Sequence, residues 1–127
     1  MPFARLTVTA RLTPDARRDL QTRLTDLIAC ALAKKHALTA VLIDVVEPDA
    51  WCIGAQAQGE AAHLEVTVTR GTNSPQQKAE FLQGAMALLA ASFPHLHRAT
   101  YIVIHDVPGA DWGYDGQSQA ARAATVF

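Results

Sequence analysis

The alternation of apolar and polar residues near the start of the chain predicts a β-strand followed by a helix. Ala4, Leu6 and Val8 alternate with polar residues, which is the pattern of a strand with one buried face. Thr13 suits a helix N-cap and Pro14 suits the first helical turn. Apolar residues then recur at helical spacing, namely Leu20, Leu24, Leu27, Ile28, Ala31 and Leu32. The apolar, β-branched run 41–46 predicts a second strand, buried on both faces.

The same order of signals returns about 60 residues later. Three landmarks recur at nearly constant offset: 6–9 as 66–69, Thr13-Pro14 as Ser74-Pro75, and Trp51 as Trp112. Such self-similarity indicates a duplicated unit. We therefore predict a single domain over 1–127 made of two pseudo-repeats, 2–58 and 62–118.

Each unit is expected to form a strand, a crossover helix and a parallel strand with right-handed connection. The predicted fold class is α/β (α+β), in which two tandem βαβ units form a four-stranded sheet with two helices on one face. The other face of the sheet would be bare and apolar, so that it needs partner subunits. A short segment with a tryptophan follows each second strand and is expected to form a small hairpin.

Composition narrows the classes of partner. Hydrophobic residues make up 50% of the chain and charged residues 18%, against about 25% charged residues in typical domains. This low charge indicates hidden surface and hence an oligomer. The net charge of −1 gives no electrostatic footprint for nucleic acid. No apolar run approaches the roughly 18 residues of a membrane span, and the start lacks a signal-peptide pattern, so a cytoplasmic protein is expected.

Several other motifs have structural explanations. Cys30 and Cys52 form no CxxC pair, and Cys30 is expected to be a small buried residue of the first helix. The histidines of 95–97 have no cysteine or acidic partner nearby in sequence, so no metal site is predicted. The cationic stretch 34–36 suits a helix C-terminus and needs no function.

Pro2 is the candidate catalytic residue. If Met1 is removed, the nitrogen of Pro2 becomes a secondary amine fixed at the start of a strand. An α-amine titrates at about 7.7–8.0, and apolar neighbours such as Phe3 would lower that pKa towards neutrality, where a general base works best. If Met1 is retained, the nitrogen is an amide and cannot act as a base.

Four residues are candidates for substrate binding. Arg70 closes the first strand of the second half and would reach Pro2 if the two strands pair antiparallel. Its guanidinium could then bind a carboxylate through two hydrogen bonds, although an exposed surface arginine is equally expected. Arg11 has the same position in the first half, with surface exposure the favoured outcome. Trp112 is expected to pack or to lie at an interface, and Tyr101 to pack in the core.

The chain resembles the tautomerase superfamily of the 4-oxalocrotonate tautomerase type. The resemblance rests on Met1-Pro2 leading into a strand, on the capped helix and apolar second strand, and on the tail with Gly54. It covers nearly the whole chain and is closest to the fused two-unit forms that include malonate semialdehyde decarboxylase and cis-3-chloroacrylic acid dehalogenase. The segment 111–116 looks like the tail of the decarboxylase-like subgroup.

The resemblance implies a function and an assembly. It implies a cofactor-free keto–enol tautomerase of a small 2-oxo (enol) carboxylic acid, assembled as a homotrimer, with Pro2 as general base or acid. The alternatives are a decarboxylase or hydratase/dehalogenase of a three-carbon acid, or a catalytically silent trimer. Ala62 stands where Pro2 would recur in the second half, so each chain carries one candidate amine. Thr72 and Asn73 stand where the dehalogenases carry a second arginine.

Overall fold

A computed structural model describes residues 2–124. Within this range the long helices are α1 (Pro14–Ala31) and α2 (Pro75–Ser92), and a short helix α3 (Gln119–Ala124) ends it. The strands are β1 (Phe3–Val8), β2 (Ala40–Val45), β3 (Cys52–Ile53), β4 (Gln56–Ala57), β5 (Ala62–Thr69), β6 (Tyr101–Val107), β7 (Gly113–Tyr114) and β8 (Gln117–Ser118). No helix in 2–124 is long and apolar enough to cross a membrane.

The four long strands form one sheet in the order β2-β1-β5-β6. β1 pairs with β2 in parallel and β5 pairs with β6 in parallel, while the central pair, β1 and β5, is antiparallel. Each half of the chain therefore contributes one βαβ unit, as the alternation of residues predicts. The predicted fold class is confirmed.

The core lies between one face of this sheet and the two long helices. Buried strand residues such as Leu6 and Val66 pack in one cluster with buried helix residues such as Leu24 and Phe81. Both predicted helix starts are confirmed. The side chain of Thr13 accepts a hydrogen bond from the backbone of Ala16, and Ser74 forms a capping box. Cys30 is exposed, so the prediction of a buried thiol is wrong: its position falls outside the apolar stripe of α1.

One tight hairpin follows the second strand of each half, β3–β4 after β2 and β7–β8 after β6, in agreement with the prediction. In the β7–β8 hairpin the turn residues Asp115 and Gly116 both have positive φ, at 51° and 78°. Two successive positive φ angles are typical of a type I′ turn, whose twist matches that of paired strands. Gly113 has no room for a side chain, because a Cβ there would lie 1.8 Å from the carbonyl oxygen of Gln117.

The end of α1 sets the direction of the residues that follow it. Ala33 has a φ of 52°, and the backbone N–H of Lys34 donates to the carbonyl oxygen of Ala29 at 3.0 Å. This is the Schellman arrangement, in which a left-handed residue ends the helix. Glycine is usual at that place because a side chain costs energy in the left-handed region.

The face of the sheet away from the helices differs from the predicted apolar surface. It does carry exposed apolar side chains, those of Phe3, Leu42 and Tyr101. Leu42 belongs to β2, none of whose residues is buried, so the prediction of a buried strand over 41–46 is wrong for the single chain, in which β2 lies at a sheet edge. Charged residues lie among them, however. Arg5 pairs with Asp44 at 2.6 Å, and His105 lies 2.8 Å from Glu65. The hydrogen bond from His105 lowers the pKa of Glu65, and the charges of His63, His105 and Arg5 lower it further. The uncovered face is therefore of mixed character.

Replacing Ala33 by glycine tests the helix end. We expect Ala33→Gly to raise the free energy of unfolding by about 1 kcal/mol, because glycine adopts positive φ without the cost of a Cβ. Ala87→Gly is the matched control in the exposed middle of α2, and it should lower the free energy of unfolding by about 1 kcal/mol. Urea unfolding at one fixed protein concentration measures both. A loss of stability in both variants would contradict the assignment.

Candidate active site

Pro2 lies at the end of the sheet where β1 begins. Its carbonyl oxygen accepts a hydrogen bond of 3.2 Å from the backbone N–H of Ala40, and its side chain is fully buried. The next residue, Phe3, pairs with Ala40 on one side and with Thr67 on the other. Pro2 is thus held between the start of β2 and the end of β5.

A cavity of about 480 Å³ opens at this same end of the molecule. Its walls come from three segments: 33–38 after α1, the end of β5 with the loop after it, and the tail 114–123. Leu38 and Thr69 belong to the first two walls, and they flank the two strands between which Pro2 is held. The cavity therefore lies at the Pro2 end of the sheet, although Pro2 is not among its lining residues, and its volume is typical of a small-molecule site.

The side chains that line the cavity make it cationic. Lys34, Lys35 and Arg122 line it, and none of its described lining residues is acidic. The remaining polar groups are hydroxyls and amides, among them those of Tyr114 and Gln119. A concave surface with several positive charges and no acidic side chain attracts small anions.

Lys34 lies on the wall formed by the end of α1. Its Nζ donates a hydrogen bond of 2.7 Å to the hydroxyl of Thr72. Burial lowers the pKa of Lys34, and the charge of Asp106 opposes this in part. Burial acts in this direction because it disfavours the charged form of an amine. An anion bound in the cavity would favour that charged form.

The tail is bonded to the end of β5 through Trp112, and further hydrogen bonds join residues of the tail to one another. The indole N–H of Trp112 donates to the hydroxyl of Thr69 at 3.2 Å, and the backbone N–H of Gln119 donates to the carbonyl oxygen of Trp112 at 2.9 Å. The guanidinium of Arg122 lies 3.7 Å from the ring centroid of Tyr114 and donates to that residue's carbonyl oxygen at 3.0 Å. These contacts orient Arg122, since guanidinium groups stack well on aromatic faces.

Arg70 lies just beyond β5, at the same end of the sheet as Pro2. The prediction that Arg70 reaches Pro2 required antiparallel pairing of β1 with β5, and this pairing is observed. The guanidinium of Arg70, however, lies at the β6 edge, where its Nε is 3.5 Å from Asp106 and its side chain is 65% exposed. Lys78 also pairs with Asp106, at 2.6 Å, and this hydrogen bond is the main cause of the lowered pKa of Asp106. Arg70 is not among the residues lining the cavity.

The structure separates two of the predicted binding residues from Pro2 within one chain. Arg11 follows the far end of β1 and is exposed. Tyr101 begins β6 opposite His63, which is again the end of the sheet away from Pro2. Its side chain is 71% exposed, so the prediction that it packs in the core is wrong for the single chain. Tyr101 points to the uncovered face because alternate strand residues face opposite ways.

The equivalent position in the second half carries Ala62 in place of a proline. Ala62 is buried there, and the hydroxyl of Thr9 accepts from the backbone N–H of Ala61 at 2.9 Å and donates to the carbonyl oxygen of Gly59 at 3.0 Å. This pairing satisfies the buried polar groups internally. The two pseudo-equivalent ends of the sheet thus differ, and the cavity lies at the Pro2 end.

Sequence reasoning did not find the cavity residues. The stretch 34–36 has a sufficient explanation as a helix end, and Tyr114, Gln119 and Arg122 belong to a tail whose position depends on tertiary contacts. The type I′ signal Asp115-Gly116 indicated the hairpin but not where it would dock. Within residues 2–124 no three histidine, cysteine or acidic side chains are grouped so as to hold a metal ion.

Several solved structures share this fold over almost the whole chain. Pt0534 inactivated by 2-oxo-3-pentynoate has a TM-score of 0.86 at 15% identity, covering 94% of this chain and 98% of that one. A fused 4-OT symmetric trimer has a TM-score of 0.82 at 18% identity, with the same coverage. FG41 malonate semialdehyde decarboxylase inhibited by 3-bromopropiolate has a TM-score of 0.76 at 16% identity, covering 98% of both chains. At these identities the likeness shows the fold.

Sequence comparison adds a closer relative. A probable tautomerase K2 of Dickeya dadantii (strain 3937) is 36% identical over 61 residues, which are 47% of this chain and 91% of the relative. No protein-family model matches the chain. Together with the fold, this relative shows that the chain belongs to the tautomerase superfamily, in its fused two-unit form. The predicted family is confirmed, and membership supports an enzymatic activity of the tautomerase or isomerase type.

The charge of Lys34 gives a pH test of the site. We expect the affinity for an unreactive acid, phenylacetate, to fall as the pH is raised through the lowered pKa of Lys34, below the usual lysine value of about 10.4. The reason is that the neutral amine no longer attracts the carboxylate. Isothermal titration between pH 7 and 10 measures this.

Lys34→Arg is the matched control for this titration, because arginine stays charged over the whole range. This variant keeps Pro2 and every other titrating group. Any difference between the wild type and the variant in how affinity depends on pH is therefore caused by residue 34. Identical profiles for the wild type and Lys34→Arg would contradict the role of Lys34.

Proposed function

We propose that the protein is a cofactor-free tautomerase that interconverts the keto and enol forms of a small 2-oxo carboxylic acid. The observation that carries the proposal is the position of Pro2, buried at the sheet end where a cationic cavity opens. An amine at that end of the sheet, once Met1 is removed, is the proposed general base, and a side-chain or terminal amine is a suitable group for that role. The absence of acidic side chains among the described cavity residues favours an anionic substrate.

The proposed reaction moves one proton twice. The nitrogen of Pro2 takes a proton from carbon next to the carbonyl group, the electrons of the C–H bond form the C=C bond of the enol, and the Pro2 ammonium then gives the same proton to the oxygen. The reverse direction returns a proton from the Pro2 ammonium to carbon. Positive groups in the cavity stabilise the negative charge that develops on oxygen in either direction. No atom is gained or lost by the substrate.

Lys34 and Arg122 are the proposed anchors of the substrate carboxylate. Both line the cavity, whereas the charge of Arg70 is already opposed by Asp106. Arg70 therefore remains a possible anchor only after breaking that ion pair. Arg122 is preorganised on the ring of Tyr114, which lowers the entropy lost when it binds an oxyanion.

We propose a homotrimer as the working assembly. The uncovered face of the sheet exposes Phe3, Leu42 and Tyr101, and fused 4-OT relatives of the same fold form trimers. Arg11 and Tyr101, which lie far from Pro2 in one chain, would contribute to a site only across such an interface. Decarboxylation or hydration of a three-carbon acid remains the alternative activity. The cavity volume favours a larger acid.

The replacement of Pro2 tests the proposed base directly. We expect Pro2→Ala to reduce the rate of ketonisation of phenylenolpyruvate by about 100-fold or more, in line with the contribution of a positioned general base. Pro48→Ala, in an exposed turn away from the cavity, is the control and should keep the wild-type rate. The loss of the enol absorbance measures both, and intact mass establishes whether Met1 has been removed. Full turnover by Pro2→Ala would dismiss the mechanism.

The ion pair of Arg70 gives a separate prediction. Arg70→Ala should change KM for the same substrate by less than roughly threefold. The reason is that an exposed guanidinium already paired with a carboxylate contributes little to the binding of a second anion. Lys34→Met should raise KM by about tenfold or more. Steady-state kinetics of the two variants distinguish the anchors. A larger effect for Arg70→Ala than for Lys34→Met would restore Arg70 as the anchor.

A further inference from the structure

The side-chain amide of Gln119 is unusual among the described residues. Its Nε2 atom is buried and has no hydrogen-bond partner, and the residue lines the cationic cavity. Buried donors are nearly always paired, because a donor that has lost its water without a replacement destabilises the fold. Gln119 thus has a donor without a partner beside a cavity, which fits a site whose acceptor arrives with a ligand and to which the amide turns when the ligand binds.

Two hydrogen bonds hold the backbone at Gln119 in place. Its N–H donates to the carbonyl oxygen of Trp112, and the N–H of Ala120 donates to the carbonyl oxygen of Gly109, both at 2.9 Å. Trp112 is in turn bonded to Thr69, at the end of β5. The tail is thus fixed at residues 119 and 120, so the backbone that carries the amide is in position before a ligand binds.

Lys34 supplies the charge that an amide lacks. An ammonium group has three protons, and one of those on Lys34 is directed to the hydroxyl of Thr72. Two protons are left for a ligand in the same cavity. A carboxylate has two oxygens with about four acceptor sites, so that it can bind an ammonium and an amide donor at once.

We propose that Gln119 is a specificity-determining residue, whose Nε2 donates a hydrogen bond to one carboxylate oxygen of the substrate while Lys34 binds the acid end by charge. This assignment deepens the proposed function and rests on it for the identity of the substrate as an acid. The amide selects for an acceptor at a fixed place, whereas the lysine attracts any anion. Together they favour a carboxylate over a neutral group of the same shape.

Binding of phenylacetate, which has no proton to exchange between carbon and a keto oxygen, tests the proposal without turnover. We expect Gln119→Leu to weaken phenylacetate about tenfold in isothermal titration, the size of a charge-assisted hydrogen bond. Binding of phenylacetamide, the neutral analogue, should be weak in the wild type and change less than twofold in the variant. Gln83→Leu, on the exposed side of α2, is the matched control and should bind both compounds as the wild type does.

A second variant shows whether weaker binding by Gln119→Leu results from a folding defect. Gln119→Glu has nearly the same shape and replaces the donor by a carboxylate, so we expect it to weaken phenylacetate by more than tenfold at pH 8. Lowering the pH to about 5 should recover part of the affinity, because a protonated carboxyl group donates again. Equal affinity of the wild type and both Gln119 variants for phenylacetate would overturn the proposal, as would the absence of binding by the wild type.

The same measurements separate this proposal from the tautomerase mechanism. Pro2→Ala should bind phenylacetate within twofold of the wild type even though its turnover is lost. Binding that depends on Gln119 in a protein without ketonisation activity would sink the proposed function and support the carboxylate site. Ketonisation with a KM that Gln119→Leu leaves unchanged would support the proposed function and contradict the role of Gln119.

Discussion

The antiparallel pairing of β1 with β5 is the constraint on which the rest of the structure depends. It joins the two βαβ units into one sheet and runs the end of β5 past the start of β1. Pro2 is thereby placed between Ala40 and the strand that leads to Thr69. A slip of the register by one residue would turn every side chain of β1 to the opposite face, so the buried row of Ala4, Leu6 and Val8 fixes the position of Pro2 as well as the core.

The distribution of charge around this end of the sheet divides the cations into two groups. Asp106 pairs with Arg70 and Lys78 at the β6 edge, and its carboxylate offsets one of these two positive charges. Lys34 and Arg122 face the cavity, where no described lining residue is acidic. Burial of Lys34 carries a free-energy cost that the charge of Asp106 offsets only in part, as the lowered pKa of Lys34 shows. We infer that this cost is offset when an acid binds.

Local signals in the sequence predicted the fold because they act over a few residues. The N-cap of Thr13, the capping box begun by Ser74 and the strand alternation all depend on neighbours in the chain, and all are observed. The repeat at about 60 residues then predicted the order of the elements. The antiparallel central pair was only a condition in this reasoning, because the order of elements does not determine which strands of the two units pair.

The walls of the candidate site could not be predicted in this way. Lys34 enters the cavity because Ala33 takes a left-handed conformation, and nothing in an alanine predicts that. The tail reaches the cavity through long-range bonds such as Trp112 to Thr69, and the short helix α3 has too few residues to show a period. Tyr101 was expected in the core because a single sequence does not reveal which face of a strand is covered.

The ionisation of Pro2 is the most direct test of the account. Protein labelled with ¹⁵N-proline allows the nitrogen of Pro2 to be followed by NMR as the pH is raised. The account predicts one proline signal with the shift of an amine, which titrates near neutrality and whose pKa rises when phenylacetate is bound. Six proline signals that all have amide shifts and do not change with pH would contradict it, because no free amine would then be present.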